Sequence, residues 1–390
     1  MLYKRASQIT EEDLVRLVEA NATEDERLEF KRQMYELGSE DAREMIRDIS
    51  SLANQKGGLI LIGVEEDDDG AASGVPGIEG AQHDERIVSS AQANIAPRLN
   101  GLEVASIPLQ NGRAVVAVGI PESLNGPHMT TYHGESVFWQ RHGRQKGKMS
   151  VDEIEAAFMR RTESTTRVES FLAQRRLHEN LELHEGRTVM IQAAPVFLGA
   201  ELVDILDKEV LGLLRQPPSH PELRGWVCSP GEPRPSLHGL RAEDREEGQL
   251  REYLELRREG YLEFGSSLAL AYNEPPNTLP SVSVLGLVYS FVHLYRILFE
   301  RLGVSTPAIF ALTILNAQGH RLSVPQRVSS GVARPTRAWE MAHIEVPVVY
   351  VQDLHGGAEE VIRRLNDRLW NAFGFDRCWA ILEDGSLVLD

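Results

Sequence analysis

The sequence predicts an α+β protein of two domains, and three observations predict it. At 390 residues the chain is longer than one core usually grows, since single cores stop near ~250–300 residues. Apolar residues make up 42% and charged residues 25%, a globular balance that excludes wholesale disorder. Helical and period-2 patterns then alternate along the first ~160 residues, in an order that packs helices on a mixed sheet. The expected division is a first domain over residues 1–163 and a second over 164–390, the latter α/β or α+β and of unidentified fold.

The elements follow in order. Thr10, with Asp13 three residues on, caps a short helix whose Leu14, Leu17 and Val18 share a face. In Arg27–Arg32, Leu28 and Phe30 alternate with Glu29 and Lys31, the signature of a half-buried strand. Ser39 opens a second helix carrying Met45, Ile46, Ile49, Leu52 and Ala53 at helical spacing, and Gly57-Gly58 ends it. A buried strand, Leu59–Val64, comes next, and the acidic run Glu65–Asp69 with Gly70 turns the chain. A third helix is expected over Asp84–Ala96. Strands Leu102–Ile107 and Ala114–Ile120 flank Asn111-Gly112, a hairpin signal. Another strand covers Ser136–Arg141, and Ser150 with Glu153 boxes the start of a helix through Arg161. Charged helical sequence over Arg161–Arg175 connects the halves. The second half predicts strands at Val189–Ala193, Ala308–Leu315, Val346–Val351 and Trp379–Leu382, and helices over Glu201–Leu214, Val284–Leu302 and Ala358–Phe373. Gln216–Pro235 and Asn273–Pro280 read as Pro-rich loops.

Composition narrows the function classes. Two cysteines, Cys228 and Cys378, supply neither a disulfide framework nor a four-Cys zinc site, and are expected as buried thiols. His128, His133 and His142 are irregularly spaced with no Cys nearby, so no zinc is expected. The opening MLYKRASQITEEDL has no apolar run, which predicts no secretory leader and a cytoplasmic protein. The longest apolar stretch, Val282–Leu298, carries His293 and Arg296. It is expected as a core or interface helix and not a membrane span. A net charge of −17 argues against a whole-surface nucleic-acid binder while leaving room for a local basic patch.

Three motifs in the first half carry chemistry: Glu24-x4-Glu29-Phe30-Lys31, then Leu52-Ala-Asn-Gln-Lys-Gly57-Gly58-Leu-Ile-Leu-Ile-Gly63-Val64, then Phe138-Trp-Gln-Arg141-His-Gly143. In this order and at these separations they resemble the Schlafen AlbA_2 family, once described as a divergent ATP-binding domain. The resemblance covers residues 10–162. It implies an AlbA_2-like α+β domain and, from eukaryotic members, a metal-dependent endoribonuclease acting on tRNA and rRNA. The family's three carboxylates would be Glu24, Glu29 and an acidic residue after the Gly63-Val64 strand. Spacing selects Glu66, with Glu65 and Asp67 as neighbours that could substitute; the family shows Asp there, where this chain begins Glu-Glu. The eukaryotic nucleases build a clamp from two such lobes and this sequence shows one, which implies a homo-oligomer or a second domain serving as the other arm. The stand-alone architecture suits stress or phage defence.

The chemistry is coherent by itself. Hard Mg²⁺ or Mn²⁺ wants oxygen ligands, and a bound cation polarises a phosphoryl oxygen and activates water. Lys31 and Arg32 follow the second Glu, and Arg141, Arg144, Lys146 and Lys148 form a basic run in a hairpin-like stretch, Ser136–Val151, that holds no Asp or Glu. These six are the candidate phosphate contacts. Each feature has a plainer reading. Glu24 sits in a polar turn, Glu29 and Lys31 fit the wet face of a strand, and the acidic and basic runs fit solvated loops. The Gly143–Lys148 stretch lacks Walker spacing, so ATP binding by that route is unsupported. The leading expectation is a nucleic-acid-binding protein, its partner RNA (tRNA-like) or another nucleic acid, with metal-dependent cleavage of structured RNA such as tRNA as the candidate activity. The alternative is a non-enzymatic regulatory or assembly protein, and a nucleotide-dependent switch is third.

Overall fold

The structure is a computed structural model. It describes residues 4–35, 40–79, 84–99, 101–123, 126–179, 183, 186–196, 201–223, 225–270, 277–302, 307–324, 337–382 and 385–387. The chain divides into two compact units, Met1–Thr165 with Leu302–Pro307, and Thr166–Arg301 with Ala308–Asp390.

In the first unit, α1 (Glu11–Glu19) starts at Thr10, whose hydroxyl accepts from the Asp13 N–H while the Asp13 carboxylate accepts from the Thr10 N–H. Strand β1 (Leu28–Lys31) runs parallel to β2 (Gly58–Ile62), and α2 (Glu40–Ala53) connects them; Ser39, expected to open α2, lies outside the described residues. β2 pairs antiparallel with β7 (Ala114–Ile120), which pairs with β6 (Glu103–Pro108), giving the order β1-β2-β7-β6. The period of two sorts the side chains. Leu28, Phe30, Leu59 and Leu61 join Leu14 and Leu17 of α1 in one core, while Ile60 and Ile62 join Met45, Ile46, Ile49 and Leu52 of α2 in the other. Each such side chain is worth about 1.5–3 kcal/mol on burial. Both faces of the sheet are therefore covered.

Glu29 and Lys31 lie beside Ile60 and Ile62 in register, so they project to the α2 side. Glu29 is buried, against the expectation that its side of β1 faces water. What covers that side, besides α2, is a second small sheet. Its order is β10 (Gln145–Lys148), β9 (Val137–His142), β8 (Met129–Thr130) and β5 (Ile95–Ala96), the last directly following α3 (Asp84–Asn94). The acidic run was expected to be all turn; instead Glu65–Glu66 form β3, paired with β4 (Ala72–Gly74).

The helix α4 (Val151–Glu179) begins at the Ser150–Glu153 box and continues well past Arg161 into the second unit. That unit holds a seven-stranded sheet, antiparallel throughout, built from β11 (Thr188–Pro195), β12 (Arg234–Pro235), β13 (Gly239–Glu246), β14 (Gln249–Arg257), β15 (Leu262–Ser266), β17 (Ala308–Leu315) and β19 (Ile344–Val351), in the order β12-β13-β14-β15-β11-β17-β19. A short parallel pair, β16 (Thr278–Pro280) and β18 (Arg321–Ser323), stands apart. Residues 273–276 of the expected Pro-rich loop lie outside the described residues. Helix α5 is Lys208–Arg215, shorter than expected because Asp207 caps it, while the Leu202 and Val203 N–H groups donate to the Arg258 carbonyl. Helices α6 (Ser281–Arg301) and α7 (Leu354–Asn371) pack against each other. Among the described residues α6 alone is long and apolar enough to cross a membrane, and 78% of that stretch is buried inside the protein, as in a core helix. Cys228 and Cys378 are both buried.

Trp379–Leu382 was expected as a strand and is not one. Trp379 packs its ring on Phe375 at 4.7 Å and donates Nε1–H to Asp376, and among the described residues the stretch makes an isolated bridge from Ile381 to Leu387.

Candidate nucleic-acid and carboxylate site

The geometry starts at the end of α2. The Asn54 side chain donates to the carbonyls of His128 and Trp139, both at 2.8 Å, and accepts from the His128 N–H. Gln55 donates to the Arg141 carbonyl at 2.8 Å. The second motif thus staples β9 to the helix by its backbone. In the β9–β10 hairpin Arg141 stands opposite Lys146, and Trp139 opposite Lys148, so all four share one face. That face meets α2. Arg47 lies over the Trp139 ring at 4.8 Å, and Lys146 binds both Glu44 and Asp48.

The predicted phosphate contacts therefore separate into two sets. Arg141 is 1% exposed, and its guanidinium binds Glu29 while reaching the Arg144 carbonyl at 3.3 Å. It is an internal counter-ion of Glu29, so the expected surface contact is corrected. Lys146 and Lys31 are likewise paired inside the domain, Lys31 with Glu29. Arg32, Arg144 and Lys148 remain exposed. Arg32 makes a solvent-facing pair with Glu65 at 2.9 Å. Arg144 donates to the Asp69 carbonyl at 2.5 Å, and Lys148 stands 5.9 Å from the Trp139 ring.

The three carboxylates come from separate segments. The Glu24 N–H donates to the Gly70 carbonyl at 3.1 Å, and Thr23 bridges to Ala71, which ties its loop to the acidic turn. The Glu24 carboxylate accepts from the Phe30 N–H at 2.7 Å. Burial raises its pKa; that hydrogen bond opposes the rise, and the charges of Glu29 and Glu66 add to it. The acidic run sorts itself by partner. Glu65 is taken by Arg32. Asp67 accepts from the Asp69 and Ala71 N–H groups at 3.0 and 2.8 Å and so shapes the turn. The Glu66 carboxylate makes no hydrogen bond or ion pair among the described residues.

Glu29 is the most constrained of the three. Burial pushes its carboxyl up, but Lys31 and Arg141 outweigh it and hold the group below the usual range. Lys31 is also 3.8 Å from Asp48, a wholly buried carboxylate on α2 that accepts from the Tyr35 hydroxyl at 2.8 Å. Burial raises Asp48, with Lys146 opposing. Sequence reasoning missed Asp48 and Tyr35, and quoted Asn54 within the second motif without giving it a role. A signal for Asp48 existed: it lies in α2 between Met45 and Ile46 on one side and Ile49 and Leu52 on the other, within the apolar stretch of that helix.

In kind, an all-carboxylate oxygen set suits a hard divalent cation. In arrangement, among the described residues no three His, Cys, Asp or Glu side chains stand grouped to hold a metal. Both Glu29 oxygens are occupied by cations of the chain itself. As they stand, these residues do not fit a divalent cation. His128 is buried with Nδ1 2.7 Å from the Pro97 carbonyl, His142 faces Glu153, and the side chain of His133 lies outside the described residues.

A β1-β2-β7-β6 sheet covered on both faces, with a half-buried carboxylate site at its β1 edge, defines the class of the first unit. Residues 24–150 match the family model described as Schlafen, AlbA_2, and the chain carries a Schlafen AlbA_2 domain. The second unit lies outside that match. No curated protein matches the chain. Among solved structures it is similar to the DIP2311 protein from Corynebacterium diphtheriae, with 16% identity and a TM-score of 0.25 over 35% of this chain and 29% of that one. It is also similar to the N-terminal domain of a putative ATP-dependent DNA helicase RecG-related protein from Nitrosomonas europaea, with 19% identity and a TM-score of 0.27 over 36% of this chain and 90% of that one. The chain spans less than a third of the length of the first, and at these scores neither bears on function.

Proposed function

We propose that the N-terminal domain binds structured RNA, tRNA being the first candidate, and cleaves its backbone at Glu24, Glu29 and Glu66. The observation that carries this reading is that the Glu24 loop is tied to the acidic turn, its N–H on the Gly70 carbonyl, while its carboxylate accepts from the N–H of Phe30, the residue after Glu29. In that reading Glu24, Glu29 and Glu66 would hold a divalent cation, which would polarise a phosphoryl oxygen and activate a water. Arg32, Arg144 and Lys148 grip phosphates by charge, and shape dominates over base reading. Arg141 keeps Glu29 ionised and oriented.

The test is cleavage of mixed tRNA and of single- and double-stranded DNA with Mn²⁺, Mg²⁺ or EDTA, using wild type and Glu66→Gln. Glu66 is exposed, so its loss leaves the fold intact. Metal-dependent cutting that disappears in Glu66→Gln supports the nuclease. The second reading, a binding or assembly protein without chemistry, is favoured by the double neutralisation of Glu29. It predicts RNA binding and no cutting under any metal.

A further inference from the structure

We propose that Trp139 is a stacking platform for an unpaired base, so that the domain holds single-stranded segments of nucleic acid by a base as well as by phosphates. The proposal rests on the nucleic-acid reading above, is independent of any metal, and adds a ligand class to that reading.

Three observations carry it. The indole is set in place before any ligand arrives. Asn54 holds the Trp139 carbonyl at 2.8 Å, and the ring Nε1–H donates to the Thr130 hydroxyl at 3.2 Å. The polar edge of the ring is thus satisfied within the domain, yet the residue is only half-buried. A ring already fixed in this way loses little freedom on binding. The two cations over it are held unequally. Arg47 lies 4.8 Å from the ring centre and is anchored by Glu135 at 3.3 Å. Lys148 is exposed, stands 5.9 Å away at the limit of cation–π range, and makes no hydrogen bond or ion pair among the described residues. A base laid on the indole therefore displaces one weak contact. The displaced ammonium also has a new partner at hand. Lys148 stands opposite Trp139 in the β9–β10 register, on a flexible stem, beside the place where a stacked nucleotide carries its phosphate.

The chemistry of the pair defines the ligand. An indole face with a mobile cation next to it takes a π-face and a phosphate, and reads no base edge, so every base fits. A duplex hides the faces of its bases in its own stack. The ligand is therefore an unpaired stretch, such as a loop or an end of a structured RNA, whose bases are free to splay onto an aromatic ring. Arg144, exposed in the same hairpin, continues the cationic track toward a neighbouring phosphate.

A purely structural reading also exists, in which Trp139 and Arg47 only fasten β9 to α2. Removing the bases from the ligand separates the two. Full-length wild type, Trp139→Phe and Trp139→Leu are titrated, with EDTA present, against three fluorescein-labelled ligands: an unpaired oligoribonucleotide of adenosines and uridines, an abasic strand of the same length, and folded tRNA. Anisotropy reads binding, and melting curves check folding. Wild type is expected to bind the base-bearing strand about five- to a hundredfold tighter than the abasic one, the worth of one stacked base. Trp139→Phe keeps a π-face and is expected to retain most of that preference, whereas Trp139→Leu loses it. Equal binding of the two strands by wild type overturns the platform and leaves the phosphate contacts standing. A preference undiminished in Trp139→Leu also overturns it, since the stacking then lies elsewhere. Binding of tRNA but of neither strand overturns the platform alone, and binding of none of the three overturns the nucleic-acid reading with it. Should Trp139→Leu fail to fold, tryptophan emission decides: the base-bearing strand at saturation must quench wild type more than Trp139→Phe, and equal quenching overturns the proposal.

Discussion

Replacing Arg141 by Met tests whether Glu29 is held from inside the domain. Arg141 is 1% exposed and its partner Glu29 is 5% exposed, so the pair is desolvated. Removing one member of a buried pair costs about 3–5 kcal/mol, because the other charge stays buried. Lys31 remains on Glu29, which places the expectation at the lower end. The first unit spans Met1–Thr165, and at ~2.1 cal/mol/K per residue its unfolding entropy is about 0.35 kcal/mol/K. A cost of ~3 kcal/mol then lowers its melting temperature by roughly 9 °C. The pH dependence has a defined sign. Glu29 is held below the usual carboxylate range, so the pair's contribution is present above that range and is lost as pH falls through the lowered pKa. The deficit of Arg141→Met is therefore largest near neutrality and shrinks in acid. Adding Glu29→Gln removes the stranded charge and should recover more than half of the loss. Calorimetric melting of the four proteins across pH measures all of this. A single-variant cost below ~1 kcal/mol, the range of exposed pairs, would refute the buried-anchor assignment and return Arg141 to the surface as a phosphate contact.

Three further outcomes follow from particular contacts. The Glu122 carboxyl is raised to about 7, by burial first, with Arg27 and Lys56 opposing. A raised carboxyl binds its proton more tightly in the folded state, so this group's contribution is present below the unfolded pKa and is lost as pH rises through about 7. It amounts to roughly 3 kcal/mol, and Glu122→Gln should flatten that part of the stability profile in denaturant titrations. Neutralising Arg144 or Lys148 should weaken RNA binding and lower the salt slope by roughly 0.9 per lost duplex contact, whereas Arg141→Met, measured where it is folded, should leave the slope unchanged. In the second unit, a Cβ on Gly286 of α6 would stand 2.5 Å from the Trp226 Cβ. Gly286→Ala is expected to destabilise by about 1–2 kcal/mol despite better helix propensity, with Trp226 fluorescence reporting the displaced loop.

The first unit was more legible than the second for a physical reason. Its helices and strands show one clean period each. The β6–β7 hairpin with Asn111-Gly112, and α1 with Thr10 and Asp13, formed where expected because their signals are local. The central strands β13, β14 and β15 went unread because their alternate residues are charged. Arg241, Glu255, Glu263 and Gln192 lie in one register row across four strands, and Arg175 of α4 closes the row at 3.2 Å from Glu255 and 2.8 Å from Glu263. A charge compensated across a sheet looks in sequence like a solvated one. The same blindness hid the inward half of the basic run. Arg141 and Lys146 face each other across the β9–β10 hairpin and point at acids on β1 and α2, which are distant in sequence. The motif marked these residues as important but carried no information on which way they face.

The acidic run shows what partner geometry adds to spacing. Spacing selected Glu66 as the third carboxylate, with Glu65 and Asp67 as neighbours that could substitute. Their neighbours make them unequal: Arg32 holds Glu65, and Asp67 holds two N–H groups of its own turn. An acceptor of two backbone donors is a structural residue, and its removal strands those donors. Asp67→Ala should cost about 1–2 kcal/mol and loosen the turn that Glu24 leans on through the Gly70 carbonyl. Glu66→Gln should leave stability within ~0.5 kcal/mol and remove only the charge that Glu24 senses. If metal affinity falls in both variants but stability falls only in the first, Glu66 is the ligand and Asp67 its support. If Glu66→Gln binds metal as wild type does while Asp67→Asn, which keeps the turn's acceptor oxygen, does not, the order is reversed and the turn opens on binding.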